Sequence, residues 1–128
     1  MLTKKLLMLP FLLLIGCVTN TEEIDLPSSE LSFAGDIQPI LSQNCNNCHG
    51  AGQNNFNSSS YAAVMASVSP ANAYNRNQVV PGDADASPLV DKIEPNPEFG
   101  GRMPVGGSLS SAEINAIRTW INEGALNN

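Results

Sequence analysis

Cys45-Asn46-Asn47-Cys48-His49 decides the reading of this chain. Two thiols three residues apart, followed at once by an imidazole, form C-x-x-C-H, the attachment pattern of c-type haem. Cysteines at i and i+3 lie on one side of a helical turn, so both sulfurs can reach the two vinyl groups along one edge of a porphyrin. The next side chain turns over the ring, where an imidazole nitrogen can ligate iron from the proximal side. Three residue types must coincide in five positions, and His49 is the only histidine in the chain. The motif predicts one haem c held covalently by Cys45 and Cys48, with His49 as the proximal iron ligand.

Other uses of the same residues are weaker. A thioredoxin-like dithiol needs a βαβ setting, and the chain shows no strand–helix alternation. Zinc needs four ligands, and beyond Cys45, Cys48 and His49 the chain offers only Cys17 or a carboxylate. A plain structural disulfide would also suit an exported protein; the specificity of the motif and the export context below favour haem.

Residues 1–16 read as a targeting segment. Lys4 and Lys5 make a positive n-region, and Leu6 to Ile15 is an apolar run broken only by Pro10, too short for a permanent membrane span. Leu14-Ile15-Gly16-Cys17 resembles the lipobox of bacterial lipoprotein signal peptides. That resemblance implies that Cys17 is acylated and becomes the new N-terminus, which accounts for the third cysteine. Val18 rather than an aspartate after the cysteine resembles the pattern sorted to an outer membrane. The rival expectation is an ordinary signal peptide cut near Gly16 beside an incidental cysteine. Both place the protein outside the cytoplasm, on the periplasmic side or outer membrane, and acyl chains would anchor it without a transmembrane helix.

Without the first 16 residues the chain has 112 residues, enough for one domain. It then has four basic residues (Arg76, Lys92, Arg102, Arg118) against twelve acidic ones, a formal charge of −8. This acidity argues against nucleic acid and against electrostatic binding to anionic lipid, and favours redox partner proteins with a basic docking surface. Residues 17–32 are polar, acidic and interrupted by proline, the composition of a flexible tether.

From Phe33 the pattern becomes helical. Phe33, Ile37, Ile40 and Leu41 share one face, Ser32 and Asp36 stand near the helix start, and Pro39 fits a first turn. This helix leads into the C-x-x-C-H. Residues 50–60 read as loop. Ser59 or Ser60 caps a second helix through Tyr61, Val64, Met65 and Val68, which Pro70 ends. A long polar loop fills 71–86, a length usually kept for a functional reason; wrapping a haem edge would be one. Ser87-Pro88 starts a short helix through Leu89, Val90 and Ile93.

Glu94 to Gly107 is rich in glycine and proline around Arg102-Met103-Pro104. A lone methionine in such a loop is odd as core packing, and a thioether is a soft iron ligand. Met103 is therefore the expected distal iron ligand. Its rival, Met65, lies within an amphipathic helix, where methionine usually fills core; an open iron site is a further alternative. Arg102 could pair with a haem propionate or stay solvated. The last helix has the clearest ends: a Leu109–Ile114 staple, a Ser110–Glu113 capping box and Gly124 at the C′ position. Ile114, Ile117 and Ile121 mark its apolar face. Trp120 beside them reads as packing against the first helix and the haem edge rather than as a redox relay.

Phe33-Ala34-Gly35-Asp36-Ile37-Gln38-Pro39-Ile40-Leu41 followed by Cys45-Asn46-Asn47-Cys48-His49-Gly50 resembles the opening of small bacterial class I cytochrome c domains, many of them carried on lipoproteins. The likeness continues through Val80-Pro81-Gly82-Asp83, Ser87-Pro88-Leu89 and Arg102-Met103-Pro104 to the closing helix. The 71–86 loop departs from it, being longer than a minimal cytochrome needs. The resemblance implies an all-α domain over 33–126, three to five helices around one covalent haem, with Cys45 and Cys48 in thioether bonds, His49 proximal and Met103 distal. It also implies a single-haem electron carrier rather than an enzyme. Two alternatives are a haem peroxidase or gas sensor with an open axial site, and a haem-bearing module of a larger surface complex.

Overall fold

A computed structural model describes residues 30–50 and 55–128. The signal segment, Cys17 and nearly all of the tether lie outside the described residues. Among those described, every regular element is helical, and the one β-type pairing is the isolated bridge between Val68 and Asn77. No helix among them is long and apolar enough to cross a membrane.

The first helix begins at Ser32. Its hydroxyl accepts from Gly35 N at 3.2 Å, while Asp36 Oδ2 accepts from Ser32 N at 2.8 Å. A wide turn, Phe33–Ile37, precedes helix α1, Gln38–Asn44. Proline supplies the reason for the widening. Pro39 has no N–H for the i→i−4 ladder, and just before it Gln38 N reaches back five residues to Phe33 O. Phe33, Ile37 and Leu41 are buried, four residues apart on one stripe, and Ile40 packs at the edge of the same core.

α1 stops where Asn44 turns its side chain back. Asn44 Nδ2 donates to Ile40 O at 2.9 Å, an acceptor the helix would use itself. Cys45 then bends the chain (φ −120°, ψ −36°) into α2, the single turn Asn46–His49. Gly50 closes it. A side chain there would meet Asn46 O at 2.8 Å, so glycine is what the close approach requires.

α3, Tyr61–Ala66, is capped by Ser60, which accepts from Ala63 N. It ends at Ala66, earlier than the proline at 70 suggests. Ser67 ends it instead: its hydroxyl donates to Ala63 O at 2.8 Å and accepts from Asn57 N at 2.8 Å. Val68, expected on the helix face, is consequently half-exposed in the bridge.

The long loop resolves into two pieces. Residues 67–78 double back on themselves, with Ser69 N on Arg76 O and Gln78 N on Ser67 O. Residues 79–86 lie on the last helix, through Gly82 N to Ile121 O at 2.7 Å and Ala84 N to Asn122 Oδ1 at 2.9 Å. α4, Pro88–Ile93, buries Pro88, Leu89, Val90 and Ile93. Ser87 holds the cap position but does not cap: its hydroxyl donates to Asp83 O and accepts from Val80 N, tying the loop instead.

α5, Ser111–Asn122, has the complete capping box. The backbone N–H and hydroxyl of Ser110 hold the Glu113 carboxyl below the usual carboxylate range. Gly124 at φ +102° reverses the chain, the conformation that favours glycine at C′. Ile117, Trp120 and Ile121 form the buried face, so Trp120 is central to it rather than beside it, and Leu109 and Ile114 pack on the same core. The Trp120 ring lies 5.4 Å from Phe33, whose other neighbour is Tyr61 at 5.2 Å. The chain end returns to the first helix: Asn128 Oδ1 accepts from Phe33 N at 3.0 Å and Asn128 O from the Ser32 hydroxyl at 2.7 Å. Packed structure thus includes Leu31 and Ser32 at one end and Asn128 at the other.

Candidate functional site

The bend at Cys45 and the turn after it place the motif on the wall of a cavity of about 580 Å³. Cys45, Cys48 and His49 all line it, and so does Met103, fifty-four residues further on. Leu89 and Ile93 of α4, with Phe56 from one loop and Phe99 and Val105 from another, make much of the remaining lining apolar. A concave, largely apolar site with a few polar groups is the usual form of a small-molecule or cofactor pocket, and this volume lies within the usual range.

The cavity keeps its shape through bonds from the loops to α2 and α4. Ser58 is fully buried; its N–H donates to His49 O at 2.8 Å, its hydroxyl donates to Asn46 Oδ1, and its carbonyl accepts from Gln38 Nε2 at 3.1 Å. One serine thereby fixes the motif turn to α1. Phe56 packs edge-on against the His49 ring at 5.5 Å. Tyr74 and Phe99 meet edge-on at 4.9 Å. The Tyr74 hydroxyl donates to Asp91 Oδ2, which also accepts from Glu98 N at 2.9 Å. Burial, then that bond to Asp91, push the Tyr74 phenol up to about 12.

The methionine loop is fastened to α4. Met103 N donates to Lys92 O at 2.7 Å, and Arg102 Nε donates to Ile93 O at 2.8 Å. Arg102 therefore closes the end of α4 and is not among the residues lining the cavity. Met65, the rival ligand, packs on the hydrophobic core from α3 and does not line the cavity. Trp120 packs on Phe33, as expected of the last helix against the first, and does not line the cavity. Of the long loop, Ala73, Tyr74 and Gln78 line the cavity, with Ser69 and Pro70 just before it, while residues 79–86 do not. Tyr74, Phe56, Phe99 and Lys92 are the site residues that sequence reasoning missed. A tyrosine in an otherwise polar loop was the one available signal.

The two motif cysteines are free thiols of unequal character: Cys45 is half-buried and Cys48 exposed. Burial, and then the neighbouring Cys48, push the Cys45 thiol up to about 11. Alkylation of the haem-free chain should therefore begin at Cys48. Near pH 8 only about one Cys45 in a thousand is thiolate, and its labelling rate should climb about tenfold per pH unit up to about pH 10. Stability follows the same titration. The folded chain holds this proton more tightly than the unfolded one, so the contribution is complete below about pH 9 and lost as pH rises towards about 11. Peptide mapping after iodoacetamide at stepped pH checks the first, and urea melts across that window the second. Equal labelling of both thiols at pH 8 would contradict it.

Among the described residues no three His, Cys, Asp or Glu side chains are arranged to hold a metal ion by themselves. The donor set that does share the cavity is two thiols, an imidazole and a thioether, which fits a covalently attached porphyrin with two axial ligands better than a bare zinc site. Comparison with protein-family models, with curated proteins and with solved structures finds no match.

Proposed function

We propose that the cavity holds one haem c and that the chain is a membrane-anchored, single-haem electron carrier of the class I cytochrome c type. One observation carries this reading: C-x-x-C-H and a loop methionine, far apart in sequence, line one cavity of about 580 Å³. Cys45 and Cys48 would form the two thioethers, His49 would be the proximal iron ligand and Met103 the distal one. The group when bound supplies a one-electron couple, and His/Met ligation is the arrangement that raises its potential.

The chain's own part is to hold and exclude. Gly50 and Ser58 fix the turn that carries both sulfurs and the imidazole. Phe56, Leu89, Ile93 and Phe99 line the cavity and would keep the surroundings of a bound ring apolar. With His49 and Met103 both holding the iron, the metal would be closed to substrate, and electrons would pass through the exposed side of the motif near Cys48. No second histidine is available as a base. The acidic surface suits a basic redox partner, and acylation at Cys17 would keep the domain at a membrane.

The haem-loaded protein should accept one electron per chain in a reductive titration and return it to a chemical oxidant, with no turnover of peroxide. Sustained peroxide consumption would move the reading to a peroxidase with an open axial site.

A further inference from the structure

We propose that Lys92 is the positioning residue for Met103, its ammonium and its carbonyl together clamping the loop that brings the methionine to the cavity. The proposal rests on the haem reading for what Met103 does; the clamp itself is geometry of this chain. Lys92 Nζ donates to Phe99 O at 2.8 Å and also to Gly101 O. At the other end of the same residue, Lys92 O accepts from Met103 N at 2.7 Å. Gly100 stands between the two captured carbonyls at φ +68°, a conformation that favours glycine and turns both oxygens onto one cation.

This is an uncommon use of a lysine. The ion pairs found among the described residues belong to Arg118, with Asp85 and Glu94. The Lys92 ammonium instead goes to backbone carbonyls, and the residue is one of those lining the cavity. It is also the sole lysine beyond residue 5. A compact ammonium with three donors can serve two carbonyls at once, whereas a planar guanidinium fork matches other geometry. The loop it holds contains Gly100, Gly101, Gly106 and Gly107. Such a backbone has much freedom to lose, and it needs a fixed point if one thioether is to stay at one place.

The test uses the haem-loaded chain with Lys92→Met and Lys92→Gln, and Ser110→Ala as a control that weakens the fold at a helix cap. In both Lys92 variants the sulfur–iron absorption band should fade, carbon monoxide should bind the reduced form faster, and amides of 99–103 should exchange faster with deuterium. The Met103-off population should rise about tenfold or more, since at least one hydrogen bond to a charged donor is lost in each variant. Ser110→Ala should leave all three unchanged. A second route needs no variant: Lys92 in the folded parent should resist acetylation, and forced acetylation should reproduce the loss of the band. A parent that shows the band, with Lys92 variants that keep it and Lys92 freely acetylated, would overturn the clamp alone. A parent with haem but no band that depends on Met103 would overturn the ligand assignment, and the clamp's purpose with it.

Discussion

The Cys45→Ser, Cys48→Ser double variant should emerge from export with no covalently attached haem. A hydroxyl cannot form the thioether, yet serine keeps nearly the size of cysteine, so the turn from Asn46 to His49 and its bonds to Ser58 survive. His49, Met103 and the apolar cavity remain, and porphyrin can still lodge there reversibly. The distinguishing step is extraction. Acidified organic solvent should strip all pigment from the double variant and none from the parent, and haem staining after denaturing electrophoresis should fall from full strength to nothing. Each single serine variant should keep one link and give an intermediate signal. Full covalent staining in the double variant would refute the assignment of both sulfurs.

Trp120→Ala should be the most damaging single change to the fold. Trp120 is 1% exposed, lies 5.4 Å from the Phe33 ring, and donates from Nε1 to Leu126 O at 2.9 Å. Its removal opens a cavity where α5 meets the first helix and leaves the Leu126 carbonyl short of a partner. Truncating a buried aromatic costs about 3–5 kcal/mol. Against a total stability of about 5–15 kcal/mol that is about a fifth at the least. At about 4–8 °C per kcal/mol, the melting temperature should fall by about 20 °C. Trp120→Phe should recover much of the packing and lose only the hydrogen bond. A Trp120→Ala chain that melts like the parent but exchanges electrons more slowly would instead favour the relay role.

What was legible in the sequence was local. Ser60, the Ser110–Glu113 box, Pro88 at a first turn and Gly124 after a last one announce helix ends because each acts within a few residues of itself. The C-x-x-C-H is local in the same sense. The errors came where a side chain reached beyond its own turn. Ser67 stops α3 before Pro70 does, because its hydroxyl serves Ala63 O and Asn57 N. Ser87 looks like a cap and spends its hydroxyl on Asp83 and Val80 instead. The 71–86 loop has no periodicity to read, and its division between cavity wall and α5 rests on long-range bonds from Tyr74, Gly82 and Ala84. Loop composition favours Met103 over Met65 as the distal ligand, and of the two methionines only Met103 lines the cavity. Nothing in the sequence pointed to Lys92, because a lysine bonded to carbonyls seven and nine residues away leaves no pattern.

The central claim is that one iron sits between His49 and Met103, and the optical spectrum tests it most directly. The exported protein is measured oxidised and then reduced with dithionite, as the parent and as Met103→Ala. The parent should show a sharp reduced α-band and, when oxidised, a weak far-red sulfur–iron band. Met103→Ala should keep the haem and its thioethers, lose the far-red band, and shift its potential downward. A parent spectrum that Met103→Ala leaves unchanged would contradict the ligand assignment, and a parent without haem would contradict the account as a whole.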